Sequence, residues 1–515
     1  MKPLKIYMCD LTHDTVVLVT DTIPINVGYI GAYAKDLFGD QIEISLFKYP
    51  QSAIDAIAND PPDVLALSNY CWNSLLSEEV AKYAKSLRSS TLTVQGGNNF
   101  PNEATLQLKF LESRQSTDVH VHLEGEIAFA NVIRRVLDNR EDFDSILTSP
   151  IDGCVFIDPS TRNQPEPRLV TGVLPARIRD LGIIPSPYLN GMLDEFFDGR
   201  LTPFMETNRG CPFTCSFCHT GDDYFTKTNS FPLERLQEEI EYVAQHTTGD
   251  GIVNLHLADT NFGMYPRDRE IAEMLRDSRE RHGWPIHLMT TTGKNNKERV
   301  IRVAEILGDA LAINMAMQSM DTNVLSTIRR SNIKLSDYTL VNEYLITQGK
   351  SSVAEMILGL PGETRETFLK GIDQVIESGV SKVTIYTLML LDGTEFKDPR
   401  YREAHEIVGK YRIVPRNFTD VNGTLVFDYE EVGIQTKNMS YEDYLFLRGY
   451  SLLVETLHND RVFEEIFRIA LSFGVTRSEM VRRVYDSMEK APQSVQGVLD
   501  QFLGETDSEL WDDES

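Results

Sequence analysis

Two series of alternating β-type and helical stretches, separated by a proline-rich run, dominate this sequence. In the first, KIYMC (5–9), EISLF (43–47), DVLALS (63–68), TLTVQGG (91–97) and VHVHLEGE (119–126) are followed by helical stretches at 27–38, 52–58, 77–87, 105–111 and 127–137. Parallel strands need a long crossover and a helix supplies it, so the pattern predicts a doubly wound parallel sheet with helices on both faces. The second series runs from TPFMETN at 202 through IVNLHLA, PIHLMTT, LAINMAM, SVAEMIL and KVTIYTLML, which makes six strands ending near residue 390. A complete eight-unit barrel takes about 250 residues, and this span is too short for one. The chain is therefore expected to be α/β: a doubly wound parallel-sheet domain over 1–140, a linker over 141–200, a partial (β/α)6 barrel over 201–398, a mainly helical C-terminal domain over 399–504 and a frayed acidic tail over 505–515. The linker is drawn where Pro159, Pro165, Pro167, Pro175, Pro185 and Pro187 crowd together.

Composition excludes several classes. Apolar residues make up 41% and charged residues 25%, values of a folded globular chain. No run of eighteen apolar residues occurs, and the opening MKPLKIYMCDLTHD lacks the apolar stretch of a secretion signal, so a cytoplasmic protein without a membrane span is expected. A net charge of -27 argues against a nucleic-acid partner, since phosphate contacts dominate that affinity and need a basic face.

Six cysteines are present, and Cys211, Cys215 and Cys218 fall within eight residues, in GCPFTCSFC. Cys9, Cys71 and Cys154 stand alone and read as small buried apolar side chains. A tight cluster in a cytoplasmic chain points to metal or redox chemistry and not to disulfides. Three thiolates on one loop suit a 4Fe-4S cluster with one iron left open. Zinc is the alternative, but it closes with a fourth ligand, and His219, adjacent to Cys218, is poorly placed to supply it.

The cysteine segment resembles the motif of the radical S-adenosylmethionine (radical SAM) superfamily, including Phe217 just before the third cysteine. Further stretches are similar across 202–396. LADTNFGMYPRD resembles the second-strand segment that meets the S-adenosylmethionine amino group, with Asp259 and Asn261 as its polar members, although it departs from the common glycine-glycine-glutamate form. MAMQSMDTNVLSTIRR is similar to the fourth-strand segment and implicates Gln318 and Ser319; AEMILGLPGET is similar to the adenine-side fifth-strand segment and implicates Glu355, Gly359 and Gly362. The resemblance implies that the open iron chelates S-adenosylmethionine and that one-electron cleavage gives a 5'-deoxyadenosyl radical.

In the first series, polar residues and glycines gather after the strands: Ser68, Asn69 and Tyr70, then Gly96 and Gly97, then Glu124, Gly125 and Glu126. Ligands of open parallel sheets bind at the carboxyl ends of the strands, although turns alone also require such residues. With INVGYIGAY, DVLALSNYCWN, VQGGN and LEGEIAF in that order, the domain resembles the cobalamin-binding domain that precedes the barrel in one large radical SAM class. The usual Asp-x-His-x-x-Gly pattern is missing: Asp118 and His120 begin it, Leu123 stands in place of the glycine, and His120 and His122 read as ordinary sheet residues. The resemblance implies a cobalamin-dependent methyltransferase acting on an unactivated carbon of a small molecule, with a one-electron donor such as flavodoxin or ferredoxin as partner. A radical SAM cyclase, oxidoreductase or rearrangement enzyme is the alternative, and a methylthiotransferase the next, though Cys9 and Cys71 lack a third companion for a second cluster.

Overall fold

A computed structural model describes the chain apart from residues 1, 15–20, 141–144, 248, 250, 294, 333–338, 341, 344–346, 348–350 and 514–515, and apart from the side chains of residues 315 and 415–417. Its first sheet has the order β2-β1-β3-β4-β5-β6-β7. The strands are β1 (Leu4–Cys9), β2 (Ile42–Phe47), β3 (Val64–Ser68), β4 (Leu92–Gly96), β5 (Val119–Val121), β6 (Cys154–Ile157) and β7 (Leu169–Thr171). The pairings from β2 to β5 are parallel. All five residues of β3 are buried because both faces of the sheet are covered. Leu65 and Leu67 pack with Ile57, Leu76 and Val80, while Ala66 and Val94 join Val27, Val132 and Ile133 on the other side. Each apolar side chain so buried contributes about 1.5–3 kcal/mol.

The linker expectation needs correction. β6 and β7 add to the sheet as antiparallel strands beyond β5. CVFI is fully buried, with Val155 and Ile157 packing on Phe100, Phe110 and Leu111, so this stretch covers what would otherwise be an open sheet edge.

The second series forms β8 (Phe204–Met205), the short pair β9 (Asn208–Arg209) and β10 (Asn229–Ser230), then β11 (Asn254–Leu257), β12 (His287–Met289), β13 (Ile313–Gln318), β14 (Ser352–Leu358) and β15 (Lys382–Thr387). Parallel ladders join β8, β11 and β12, and another set joins β13, β14 and β15. A bridge from Leu288 to Leu311 connects the two sets into an arc of six parallel strands. Helices such as Leu233–Thr247, Asp268–His282 and Arg365–Glu377 lie between them in sequence, each burying one stripe of its surface.

Residues 399–504 are not helical throughout. After the helix Pro399–His405 comes a long antiparallel hairpin, β16 (Val408–Val421) and β17 (Thr424–Gln435). Its turn is Asn422-Gly423, both at positive φ (48° and 89°), the backbone that a tight hairpin of matching twist requires. The helices Tyr441–Leu453, Glu464–Ser472, Arg477–Asp486 and Gln493–Ser508 follow. The hairpin reaches back to the first sheet, where Val421 and Val426 join the core around Leu76. The acidic end is docked and not frayed: Tyr411 and Trp511 exchange backbone hydrogen bonds of 2.9 Å in both directions. Among the described residues no helix is long and apolar enough to cross a membrane.

Candidate functional site

The cysteine loop leaves β9 at Gly210, whose φ is +115°. A Cβ there would lie 2.6 Å from the Lys227 carbonyl oxygen, so only glycine allows the loop to close on itself. Cys211 N–H donates to Phe225 O (2.9 Å) and Cys218 N–H to Cys215 O (3.1 Å), folding the three thiols toward one cavity of about 200 Å³. Each sulfur has a donor beside it. Asn261 Nδ2 lies 3.3 Å from Cys211 Sγ, Arg330 Nη1 lies 3.8 Å from Cys215 Sγ, and Thr220 Oγ1 lies 3.2 Å from Cys218 Sγ. Such contacts stabilise thiolate charge and tune a cluster's potential, so the donor set fits an iron-sulfur cluster. Among the described residues no group of three His, Cys, Asp or Glu side chains closes around a single metal ion.

Phe217, Gln318, Arg330 and Glu355 line the same cavity. Gln318 is buried at φ +64°, beside a register shift in β13, and its Oε1 has no partner. Strained backbone and an unspent buried acceptor together leave Gln318 with capacity for a ligand in this cavity. Arg330 is 6% exposed, bonds Asn332 Oδ1 (2.8 Å) and Ala316 O, and takes part in none of the ion pairs found among the described residues. Burial pulls its pKa down, and the three cysteines facing it push the other way. A buried cation of this kind fits an anionic group such as the carboxylate of S-adenosylmethionine. On sequence alone Arg330 gave no signal as a site residue.

Four expected residues are engaged elsewhere. Asp259 accepts from Thr207 N (2.9 Å), Thr207 Oγ1 and Asn208 Nδ2 (2.7 Å), so it fixes the approach to the cysteine loop, and burial pushes its pKa up to about 7. Ser319 Oγ donates to Glu363 Oε2 (2.6 Å). Gly359, at φ +99°, packs under the hairpin, where a Cβ would sit 3.2 Å from Gly433 O; Gly362 is likewise at positive φ, in a turn beside Val324. Asn261 stays available, since its Oδ1 is buried without a partner while its Nδ2 meets Cys211.

In the first sheet, Ser68, Tyr70, Gly96, Gly97 and Gly125 line one slot of about 140 Å³, walled by apolar side chains that include Val27, Val94 and Phe129. Tyr70 stacks on Trp72 with ring centroids 4.6 Å apart and accepts from Asn26 Nδ2 at 3.1 Å. Beneath it Asp10 pairs with buried Lys48 at 2.8 Å. A flat aromatic group such as the nucleotide base of cobalamin fits this apolar slot with its polar rim. The glycines serve the fold as well: a Cβ at Gly97 would lie 2.3 Å from Asn69 O, and one at Gly125 would lie 2.6 Å from Ile30 Cδ1. Asn69, Glu124 and Glu126 do not face the slot. Asn69 is turned into the sheet against Asn99 O (2.7 Å) and His120 Nε2 (3.2 Å). Glu124 and Glu126 form ion pairs with Arg177 (3.0 Å) and Arg209 (2.7 Å).

The isolated cysteines do not converge. Cys9 belongs to the core on one face of the sheet and Cys154 to the core on the other. Burial raises all three thiols, Cys71 and Cys154 to about 12; Cys9 and Cys154 are buried as expected of inert side chains, whereas Cys71 is half-buried and lines a separate cavity of about 550 Å³. His120, stacked on Phe100 at 3.7 Å, is an interior sheet residue.

The Radical SAM superfamily pattern matches residues 205–375, the barrel with its cysteine loop. The chain is 30% identical over 499 residues to the cobalamin-dependent radical SAM methyltransferase TokK of Streptomyces tokunonensis, covering 93% of this chain and 69% of that protein. It is 33% identical over 411 residues to the 2-(S-pantetheinyl)-carbapenam-3-carboxylate methyltransferase of Streptantibioticus cattleyicolor, covering 77% of this chain and 57% of that one. The cobalamin-dependent S-adenosylmethionine radical enzyme OxsB shares its fold at a TM-score of 0.62, with 13% identity over 98% of this chain and 76% of OxsB. A cysteine loop backed by three donors, a sheet with a ligand slot ahead of the barrel, and this extent of likeness agree: the chain belongs to the cobalamin-dependent radical SAM methyltransferases.

Proposed function

We propose that this chain methylates an unactivated carbon of a small molecule, holding the cluster on Cys211, Cys215 and Cys218, S-adenosylmethionine against Gln318, Arg330, Glu355, Phe217 and Asn261, and cobalamin in the slot of Ser68, Tyr70, Gly96, Gly97 and Gly125. When bound, the cluster with S-adenosylmethionine supplies a 5'-deoxyadenosyl radical that removes hydrogen from carbon, and cobalamin supplies the methyl group. The observation that carries the reading is the cavity shared by three donor-backed thiols, the unspent Gln318 Oε1 and the buried Arg330. Arg330 orients an anionic group, Asn261 and Thr220 steady the sulfurs, and the aromatic wall at Phe217 limits water. A one-electron donor such as flavodoxin or ferredoxin would reduce the cluster.

For the acceptor, a cavity of about 550 Å³ lies where the strand-end loops of the first sheet, the segment after β15 and the hairpin meet. Junctions of this kind commonly hold ligands. The similarity to a carbapenam-carboxylate methyltransferase supports an acceptor of that chemistry, a compact ring carrying a carboxylate and an extended thioether.

The test uses anaerobically reconstituted, cobalamin-supplied protein, methyl-deuterated S-adenosylmethionine and 2-(S-pantetheinyl)-carbapenam-3-carboxylate as the probe. The expected product carries an intact trideuteromethyl group on carbon. An unlabelled product formed together with deoxyadenosine would overturn methyl transfer in favour of cyclisation, oxidation or rearrangement.

A further inference from the structure

The segment Glu124-Gly125-Glu126, where the helix Gly125–Asp138 begins after β5, belongs to two sites at once. Gly125 and its neighbour Leu123 line the slot of the first sheet. The flanking carboxylates reach out to the cysteine loop. Glu126, with a side chain 3% exposed, pairs at 2.7 Å with Arg209, two residues ahead of Cys211. Glu124 pairs at 3.0 Å with Arg177, whose guanidinium donates to the carbonyls of Tyr224 (3.1 Å) and Lys227 (2.6 Å) where the loop ends. Entry and exit of the loop 210–227 are thus tied to one helix start.

The lead into that helix has little slack. Leu123 is held at φ +64°, a left-handed conformation that costs a residue with a side chain about 1 kcal/mol or more and persists only where its surroundings enforce it. A Cβ on Gly125 would meet only the flexible side chain of Ile30, with Cδ1 at 2.6 Å, so the constraint lies in the backbone at Leu123. A ligand entering the slot beside Gly125 and Leu123 would press on the start of that helix, from which both carboxylate arms project.

We propose that Glu124 and Glu126 form a two-pronged positioning clamp that sets the cysteine loop relative to the slot and transmits the slot's occupancy to the loop. The inference rests on the reading of the slot as the cobalamin site. Arg209 keeps its second carboxylate, Glu206 at 2.7 Å, when Glu126 is neutralised, and a glutamine at 124 can still accept from Arg177, which also donates to backbone carbonyls. The variants Glu124→Gln and Glu126→Gln should therefore fold.

The experiment is amide hydrogen exchange across the loop 210–227 in full-length, cluster-reconstituted protein, with and without hydroxocobalamin, alongside the visible spectrum and iron content. In the wild type, cobalamin should slow exchange of the loop severalfold. In E124Q/E126Q the spectrum should still report bound cobalamin and iron should stay near the wild-type level, but the loop should no longer respond. Equal protection in variant and wild type, or a wild-type loop that ignores bound cobalamin, would overturn the clamp. A wild type that binds no cobalamin would overturn the slot reading and the clamp with it, and the spectrum distinguishes that result. Should the double variant unfold, E124Q alone must abolish the response at the exit, 224–227, while the entry keeps it; an unchanged exit would likewise overturn the proposal.

Discussion

Asn261 Nδ2 donates to Cys211 Sγ across 3.3 Å, while the other end of the same amide, Oδ1, is buried without a partner. One side chain therefore serves a sulfur on one side and has an acceptor left for a ligand on the other. Asn261→Leu should remove both contacts, shifting the cluster's reduction potential to a more negative value and weakening S-adenosylmethionine binding about tenfold, the equivalent of about 1.4 kcal/mol. A redox titration and a binding titration followed by electron paramagnetic resonance check the two effects separately.

Arg329 and Arg330 are neighbours with opposite surroundings. Arg329 is exposed and pairs with Glu395 at 2.6 Å, whereas Arg330 is buried among the cysteines. Arg330→Met should reduce affinity for S-adenosylmethionine at least tenfold with iron retained, because a charge-assisted contact made inside the protein is lost. Arg329→Ala should change it less than twofold, as expected of a surface pair. Binding titrations of the two variants side by side test the contrast.

Asp259 carries a pH signature. Its folded pKa, raised by burial to about 7, lies above the unfolded value, so between about pH 4 and pH 7 the folded state holds the extra proton. Stability should therefore fall as pH rises through that window, by about 1 kcal/mol per unit at the steepest, and level off above it. Asp259→Asn should flatten the fall. Denaturant unfolding at several pH values measures both curves.

The hairpin is fastened to the first sheet by Asp428, which accepts from Leu75 N at 2.7 Å and meets His13 Nε2 at 2.8 Å, with His13 Nδ1 3.0 Å from Thr419 Oγ1. Asp428→Ala strands several of these buried groups and should cost about 3 kcal/mol, seen as a lowered midpoint in thermal unfolding. Asp428→Asn should lose less, because an amide oxygen still accepts from Leu75 N.

The elements legible in the sequence were those with a strong local signal. Cysteine spacing located the loop, and strand and helix periodicity gave both α/β units with their order. The hairpin of β16 and β17 carried a signal that composition masked: Asn422-Gly423 announces a tight turn, but the flanking strands mix charged and apolar residues because one stretch packs on the first sheet while others stay exposed. Arg330 was illegible, because a two-arginine run looks like a solvated turn until the fold buries one member. Glu124 and Glu126 sat beside the right glycine, yet only the three-dimensional structure reveals that they reach for Arg177 and Arg209, about 50 and 80 residues away in sequence. Ser319 and Asp259 matched their segments in position, but their hydrogen-bonding capacity is used by Glu363 and by Thr207 with Asn208.

In the proposed reaction one S-adenosylmethionine is cleaved to the radical and a second gives up its methyl group by way of cobalamin, leaving S-adenosylhomocysteine, so counting the nucleoside products is the most direct test. With the methyl acceptor present, reduced protein holding both cofactors should release 5'-deoxyadenosine and S-adenosylhomocysteine in a ratio near one. Cys215→Ser should abolish deoxyadenosine and the brown cluster absorbance while leaving the protein folded, since the cysteine loop lies on a barrel that packs without it. Product formed with deoxyadenosine but without S-adenosylhomocysteine would contradict the account.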